Sequence, residues 1–295
     1  MNPKNKAFIE LIVATFFFSL FGIFTRLLAS DLGVFLQLML RVGLMAGIFG
    51  AIGALTKIYK RIRPQDLPLF VFRGFLIIAD FSCFYVAVNN LPLGLTLFIF
   101  YSASVIMSFS FGAIFLKEKL DLTKVIGIST AIVGLSVMYS ESFHGVTLWP
   151  SLAAFGSGAC FGLTVSTSKK LTDKYDTTQV NLVAYLVSFV LAIPLLLLSR
   201  EAIPTAVSPM TIVELIGFAL VGVAAFYLTV DGFKYLEAQK ASLILLAELV
   251  FVVILGWLLY SEIPTMRTVI GGLLILVALA LPNLNLKHWK SSVFR

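Results

Sequence analysis

Three charged residues lie inside long apolar stretches of this sequence and are the first candidates for chemistry. Asp80 and Glu248 carry carboxyl groups that can bind a cation or exchange a proton, and Arg41 carries a guanidinium group that can bind a carboxylate. Placing such a charge in hydrocarbon costs about 3 kcal/mol or more, so these residues typically face an aqueous cavity or a partner. We interpret them as a binding or translocation site. The alternatives are a buried structural ion pair or an interhelical hydrogen bond that fixes the packing and, for Arg41, a side chain that extends to the membrane interface.

Weaker candidates follow the faces of the predicted helices. Ser104 lies 144 positions before Glu248 and shares a helix face with Tyr101. The other polar or aromatic candidates within apolar stretches are Ser19, Tyr85, Thr164 and Tyr227. Small and polar stripes either line a wet path or let two helices approach closely, and close packing is the more common use. The spacings Gly43-x-x-x-Gly47 and Gly158-x-x-x-Gly162 also favour packing.

Composition identifies the solvent that these helices meet. Hydrophobic residues make up 59% of the 295 residues and charged residues 13%, with a mean hydropathy of +1.00. A soluble domain has about 25% charged residues, so this chain lacks the polar surface that a water-soluble globule needs. Apolar runs of about 20 residues are long enough to cross a bilayer as helices. The sequence therefore predicts an integral membrane protein, in which the formal charge of +7 faces anionic lipid rather than nucleic acid.

The chain divides into ten predicted transmembrane helices with short connections. They cover about residues 8–28, 33–55, 69–88, 93–116, 125–139, 149–168, 180–198, 212–233, 241–260 and 269–281. With this count, Lys and Arg separate to one face of the membrane, the exceptions being Arg26, Arg41, Arg200 and Arg267. Basic residues concentrate on the cytoplasmic side, so both termini are expected in the cytoplasm, most simply of a bacterial inner membrane.

The two halves of the chain repeat one another. Gly112, Glu118 and Gly127 recur 144 positions later as Gly256, Glu262 and Gly271, followed in both cases by an apolar helix. A fixed offset of about half the chain indicates a duplicated unit. We predict repeats at residues 1–144 and 145–295 within a single membrane domain. Because each repeat has five spans, the second must be inverted relative to the first, and the fold class is an all-α membrane protein with two inverted five-helix repeats.

The sequence resembles the drug/metabolite transporter superfamily, EamA-type. The matching features are Arg41 in span 2, Arg73-Gly74 opening span 3, Ala241-Ser242 opening span 9, and Glu248 fourteen residues before Glu262. The resemblance covers essentially the whole chain and implies a cavity lined by spans 1–4 and 6–9, with spans 5 and 10 outside it. One departure concerns the proline that such proteins often have after the span 9 acid. Here it is Leu249, with Val105 at the matching position of span 4.

No catalytic or nucleotide-binding motif accompanies these features. The sequence contains no zinc-protease, serine-hydrolase or phosphate-loop pattern, so we predict neither an enzyme nor a metal or other cofactor. The favoured function is gradient-driven transport, by alternating access, of a small polar metabolite such as an amino acid or an amine-containing derivative. Efflux of amphipathic cations and a non-transport role in membrane assembly or lipid modification are the alternatives. A coupled proton, membrane lipid and a second copy in a homodimer are the further partners considered.

Glu118 and Glu262 occupy loops next to helix starts. The helix macrodipole favours an acid at such a position, and we prefer this interpretation to a role in gating.

Overall fold

The computed structural model describes residues 2–143 and 146–283, and within these ranges the regular structure is entirely helical. The α-helices are α1 (Pro3–Ser19), α2 (Phe21–Leu28), α3 (Val34–Thr56), α4 (Leu67–Asn90), α5 (Leu93–Phe115), α6 (Leu122–Met138), α7 (Leu148–Thr172), α8 (Thr177–Ser199), α9 (Pro209–Tyr235), α10 (Ala238–Leu245), α11 (Ala247–Tyr260) and α12 (Met266–Asn283). A short 3₁₀ turn covers Ser140–Ser142. The predicted repeat boundary and the basic residues of the C-terminal tail, Lys287, Lys290 and Arg295, lie outside the described residues.

These helices make ten membrane spans in the described part of the chain. Nine segments are long and apolar enough to cross a membrane; α1 with α2 forms one of them and α10 with α11 another. The remaining helix, α6, has 17 residues, or roughly 26 Å at 1.5 Å per residue, which is at the short end for a spanning helix. We call the face of the bundle where α1 begins the N-face and the opposite face the far face.

Helix packing follows an exchange of the two repeats. In the first comparison, α4 packs on α7, and its counterpart α9 packs on α1. In the second, α5 packs on α7, and its counterpart, the span made of α10 and α11, packs on α1. Helices α3 and α8 are equivalent spans that pack on each other, as are α6 and α12. Exchanging the halves therefore reproduces the same neighbours. With five spans in each half, the repeats run in opposite directions across the bundle, as predicted.

The backbone records the duplication at helix ends. The non-glycine residues with positive φ in the described chain are Lys57, Lys117, Arg200 and Ser261, all between 54° and 56°. They form two equivalent pairs, since Lys57 and Arg200 end the second and seventh spans while Lys117 and Ser261 follow the fourth and ninth. A left-handed residue is a common way to end a helix, and its recurrence shows that both repeats keep the same local geometry.

Glycines set the closest helix approaches. Beneath Gly158 and Gly162 of α7 lie the backbone carbonyls of Phe100 and Ser104 of α5, in the space that a Cβ would need. The other predicted pair does not act in this way, because Gly43 faces only the Phe189 ring and Gly47 has open space around it. One of the two Gly-x-x-x-Gly motifs is therefore a backbone contact between helices.

The α6–α12 contact is reciprocal. A Cβ on Gly134 would lie 3.0 Å from the carbonyl oxygen of Gly271, and a Cβ on Gly271 would lie 2.6 Å from that of Gly134. Buried residues of these two helices share one apolar cluster with Tyr101 of α5 and with Ala247, which precedes Glu248.

Candidate functional site

Two spans are broken near mid-membrane. The first breaks at Leu20, between α1 and α2, and the ninth at Leu246, between α10 and α11. At each break the helix tightens, with N–H bonds from Leu20 to Phe17 (3.2 Å) and from Leu246 to Leu243 (3.2 Å). Helix α1 packs against both halves of the ninth span. Transporters commonly build binding sites from discontinuous helices, because the broken backbone exposes polar groups at mid-membrane.

Glu248 lies in the first turn of α11, immediately after the break. The tight turn two residues before Glu248 forms without a proline, since Leu249 follows it. The buried Tyr101 of α5 lies beside Glu248, and Ser104 is buried one turn further along α5.

Asp80 lies at the middle of α4. Its Oδ1 accepts a 2.6 Å hydrogen bond from the hydroxyl of Ser157 on α7. The Tyr101 hydroxyl is near both Asp80 and Glu248, so α5 joins the two acids. Cys83 and Cys160 are also close to Asp80. Asp80 and Glu248 are both half-buried.

Arg41 on α3 lies in an aromatic box. Its guanidinium carbon is 4.7 Å from the ring centre of Phe218, 5.4 Å from that of Phe21 and 5.7 Å from that of Phe81. Each contact is a favourable cation–π geometry worth roughly 0.5–2 kcal/mol. Among the described residues, Arg41 has no hydrogen-bond acceptor and no carboxylate within 4 Å, although Asp80 is in its neighbourhood. The rings hold the cation in place and leave its five N–H donors for another group.

Tyr185 is a site residue that our sequence reasoning missed. It lies on α8, which packs on α3, the helix that carries Arg41. Its ring stacks on Phe49 (5.9 Å, 10° between planes) and meets Phe226 edge-on at 5.6 Å. Its hydroxyl is buried and has no partner among the described residues. The sequence places Tyr185 on the same helix face as Asn181, but no pattern distinguishes it from other tyrosines in the apolar stretches.

Arg73 of α4 connects this helix to α7 and α8 through hydrogen bonds. Its side chain is 0% exposed and donates to the carbonyls of Thr164 (3.1 Å) and Val180 (3.0 Å) and to Asn181 Oδ1 (3.1 Å). Three acceptors satisfy the rigid guanidinium fork without a carboxylate. Arg73 is therefore a positioning residue for α7 and α8.

The remaining predicted residues lie at the margin of this group or outside it. Ser19 bonds to the carbonyl of Phe16 on its own helix (2.6 Å). Thr164 is buried beside Arg73 with its hydroxyl unpaired in the described chain, and Tyr85 packs on Phe35 toward the far face. Tyr227 is 38% exposed and lines a groove of about 520 Å³ on the outside of the bundle, with Ile52, Thr178 and Leu220. No group of three potential metal ligands occurs among residues 2–143 and 146–283.

Comparison with known proteins shows which families share this arrangement. The model of the EamA-like transporter family matches twice, over residues 5–140 and 148–284. An uncharacterized transporter of Archaeoglobus fulgidus is 29% identical over 234 residues, which are 75% of this chain and 79% of the relative. A pseudopaline exporter, CntI of Pseudomonas aeruginosa, is 24% identical over 225 residues, covering 72% of this chain and 74% of the relative.

A solved crystal structure has the same fold. It superposes with a TM-score of 0.79 at 16% identity, covering 94% of this chain and 96% of that chain.

Proposed function

The chain belongs to the EamA-like transporter family, and from that premise we propose that it transports a small amino acid or amine-containing metabolite by alternating access. It is an integral membrane protein. We place it in a bacterial inner membrane with its N-face toward the cytoplasm, because the basic residues concentrate on that face.

One observation supports the substrate class above all. Asp80, Glu248 and Arg41 lie within the membrane-spanning helices, and none has an ion-pair partner within 4 Å in the described chain. Unpaired charges at this depth are costly, so a partner that arrives from outside the protein explains why they are tolerated. A zwitterion supplies both countercharges, its carboxylate for Arg41 and its ammonium group for Asp80. Ser157 and the aromatic box orient the two protein groups before the solute arrives.

Glu248 suits a different task. It lies in the first turn of α11, and its neighbour is the Tyr101 hydroxyl rather than a cation. A carboxyl group whose protonation differs between two cavity states couples solute movement to a proton gradient. We therefore assign solute binding to Asp80 and Arg41 and proton coupling to Glu248.

Reconstituted proteoliposomes test this assignment. A thermal-shift screen of a metabolite library on purified protein first identifies a stabilising solute, since a ligand that binds the folded state raises its stability. Uptake is then compared for that solute, its carboxamide and its deaminated analogue. We expect Arg41→Gln to lose the preference for the carboxylate over the carboxamide. Asp80→Asn should lose the preference for the amine, each by roughly 10-fold or more from one charged hydrogen bond.

A separate experiment tests whether Glu248 couples transport to protons. Glu248→Gln should move solute at a rate that no longer responds to a pH gradient. Glu141→Gln is the matched control, because that exposed acid pairs with Arg267 at the protein surface. Wild-type rates and wild-type proton dependence in both Asp80→Asn and Glu248→Gln would refute the site. Faster movement of hydrophobic monocations than of any zwitterion would favour cation efflux instead.

A further inference from the structure

Two glutamates stand at equivalent turns of the two repeats. Glu118 follows α5 and Glu262 follows α11, each after a residue with φ near 55°. The N–H of Glu118 bonds to the carbonyl of Gly112 (2.9 Å), and that of Glu262 bonds to Gly256 (3.2 Å). Each carboxylate folds back over that glycine, where a Cβ would lie 2.7 Å and 3.0 Å from it. The backbone thus presents both acids in the same way, on opposite faces.

On the N-face the acid is docked in the other repeat. Glu118 Oε1 accepts the N–H of Ala238 (2.8 Å) and Oε2 that of Gln239 (3.3 Å), the first amides of α10. Lys169 at the end of α7 donates to Glu118 (3.0 Å) and to the carbonyl of Leu236 (2.7 Å). The Glu118 side chain is only 6% exposed. Charge-assisted bonds to a helix N-terminus make this a strong contact between the halves.

On the far face the equivalent acid is undocked. The Glu262 side chain is 62% exposed, and its ion-pair partner in the described chain is Arg26, at 3.9 Å and itself 60% exposed. The counterparts of Ala238 and Gln239 are Gly94 and Leu95, in the first turn of α5. Among the described residues no side chain bonds to the amides of that turn, although Ser142 packs against Gly94. Glu262 and its equivalent turn are therefore apart, while Glu201 joins the two repeats on this face by accepting the N–H groups of Phe35 and Leu36 at 3.0 Å.

We propose that Glu118 and Glu262 are reciprocal latches, of which one docks on the opposite repeat whenever the other is released. In the present state Glu118 is docked between α5 and α10 on the N-face and Glu262 is released on the far face. In the other state Glu262 docks on Gly94 and Leu95 with Arg26 as its cation, as Lys169 serves Glu118 now. The inference rests on the proposed alternating access, because only a two-state transporter exchanges the two faces. It replaces our expectation that these acids stabilise the helix starts adjacent to them in sequence.

The physical basis is that both repeats present a carboxylate in the same backbone geometry. Releasing one latch is therefore partly offset by docking the other, with the Glu118-docked state the more stable in wild type. Two packed arrangements of similar energy behave as a switch rather than as a continuous deformation. Each glutamate variant then shifts the equilibrium in a known direction.

Amide hydrogen exchange of the full chain in nanodiscs tests the latch without requiring any solute. First-turn amides of a helix have no partner within the helix, so the exchange of Ala238 and Gln239 reports docking of Glu118, and that of Gly94 and Leu95 reports docking of Glu262. In wild type the α10 pair should exchange more slowly than the α5 pair. In Glu118→Gln we expect about 10-fold faster exchange at α10 and correspondingly slower exchange at α5. Glu262→Gln should leave α10 protected.

Further variants keep the test decisive if Glu118→Gln folds poorly. Lys169→Gln removes the cation from the docked acid and should give the same reciprocal change, at about threefold. Lys170→Gln is its control, since the neighbouring lysine contacts only the rings of Phe111 and Phe115 and should change nothing. Faster exchange at α10 with unchanged exchange at α5 would show a static helix cap and overturn the latch. So would equal effects of the two glutamate variants.

The latch and the transport proposal fail separately. Reciprocal protection in a protein that moves no solute in liposomes would refute the proposed function and leave the latch. Solute movement without reciprocal protection would refute the latch alone.

Discussion

Substituting Gly158 by alanine should separate α7 from α5 and damage both stability and the site. A Cβ at this position would coincide with the carbonyl oxygen of Phe100 and lie 2.7 Å from the carbonyl carbon. Carbon atoms normally approach to about 3.5–4.0 Å, so the two helices must part by roughly 1 Å. The added methyl group would clash with backbone atoms of Phe100, so no side-chain rotation can relieve the clash.

The expected loss is at the upper end of the range for overpacking, about 3 kcal/mol. For a protein of this size each kcal/mol lowers the melting temperature by about 2–4 °C, so we expect a fall of roughly 6–12 °C. Ser157, adjacent to Gly158, donates the hydrogen bond to Asp80, so displacement of α7 also moves a group of the site. Transport should therefore fall even below the new melting temperature.

Gly47→Ala is the matched control in the same protein. Nothing lies within 4 Å of the Cβ it would add, and alanine gains about 1 kcal/mol over glycine in a helix interior. The two variants should be purified in one detergent and melted with intrinsic fluorescence as the readout. A Gly158→Ala protein that melts within 1 °C of wild type, or as late as Gly47→Ala, would refute the close backbone contact between α5 and α7.

Three further predictions concern the surrounding residues. Arg73→Lys should cost about 2–4 kcal/mol of stability, since an ammonium group cannot reach three acceptors placed for a guanidinium fork; thermal melts against wild type check this. Tyr185→Phe should melt at the wild-type temperature, because it removes a buried hydroxyl that has no partner in the described chain. The KM for a carboxylate-bearing solute should rise about 10-fold. An unchanged KM would show that Tyr185 is not part of the site. The Lys174 ammonium, which donates to Asp66 Oδ1 at 2.7 Å, lowers the pKa of Asp66 below its ordinary value. A carboxylate whose pKa is lowered in the folded state adds stability at pH values above its unfolded-state pKa, and this stability is lost as the pH falls through the folded-state pKa. Wild type should therefore lose its advantage over Asp66→Asn below about pH 4 in melts from pH 3 to 7.

The spans and the repeat were predictable from the sequence because each depends on a pattern that extends over many residues. Runs of apolar residues fix the spans, and the offset between Glu118 and Glu262 fixes the duplication. The helix breaks at Leu20 and Leu246 were not predictable. Neither position is a proline or glycine, and the breaks form where α1 packs against α10 and α11, a tertiary contact that local sequence does not encode.

The candidate site was predictable only where a charge interrupts an apolar run. Asp80, Glu248 and Arg41 stood out for that reason. The aromatic box around Arg41 did not, since its rings come from separate helices and the chain contains 27 phenylalanines. Tyr227 looked equally suitable by type and depth, but helix rotation turns it to the outside of the bundle.

The α6–α12 crossing is isologous, as in a symmetric dimer whose two subunits have become one chain, because Gly134 meets Gly271 as Gly127, the counterpart of Gly271, meets the carbonyl of Ala278. Each glycine presses on the carbonyl of the other, so a methyl group added at either position opens the same gap. Once that gap is open, a second methyl group meets little resistance. Energies of the single changes will therefore not sum in the double variant, although 137 residues of sequence separate the two positions.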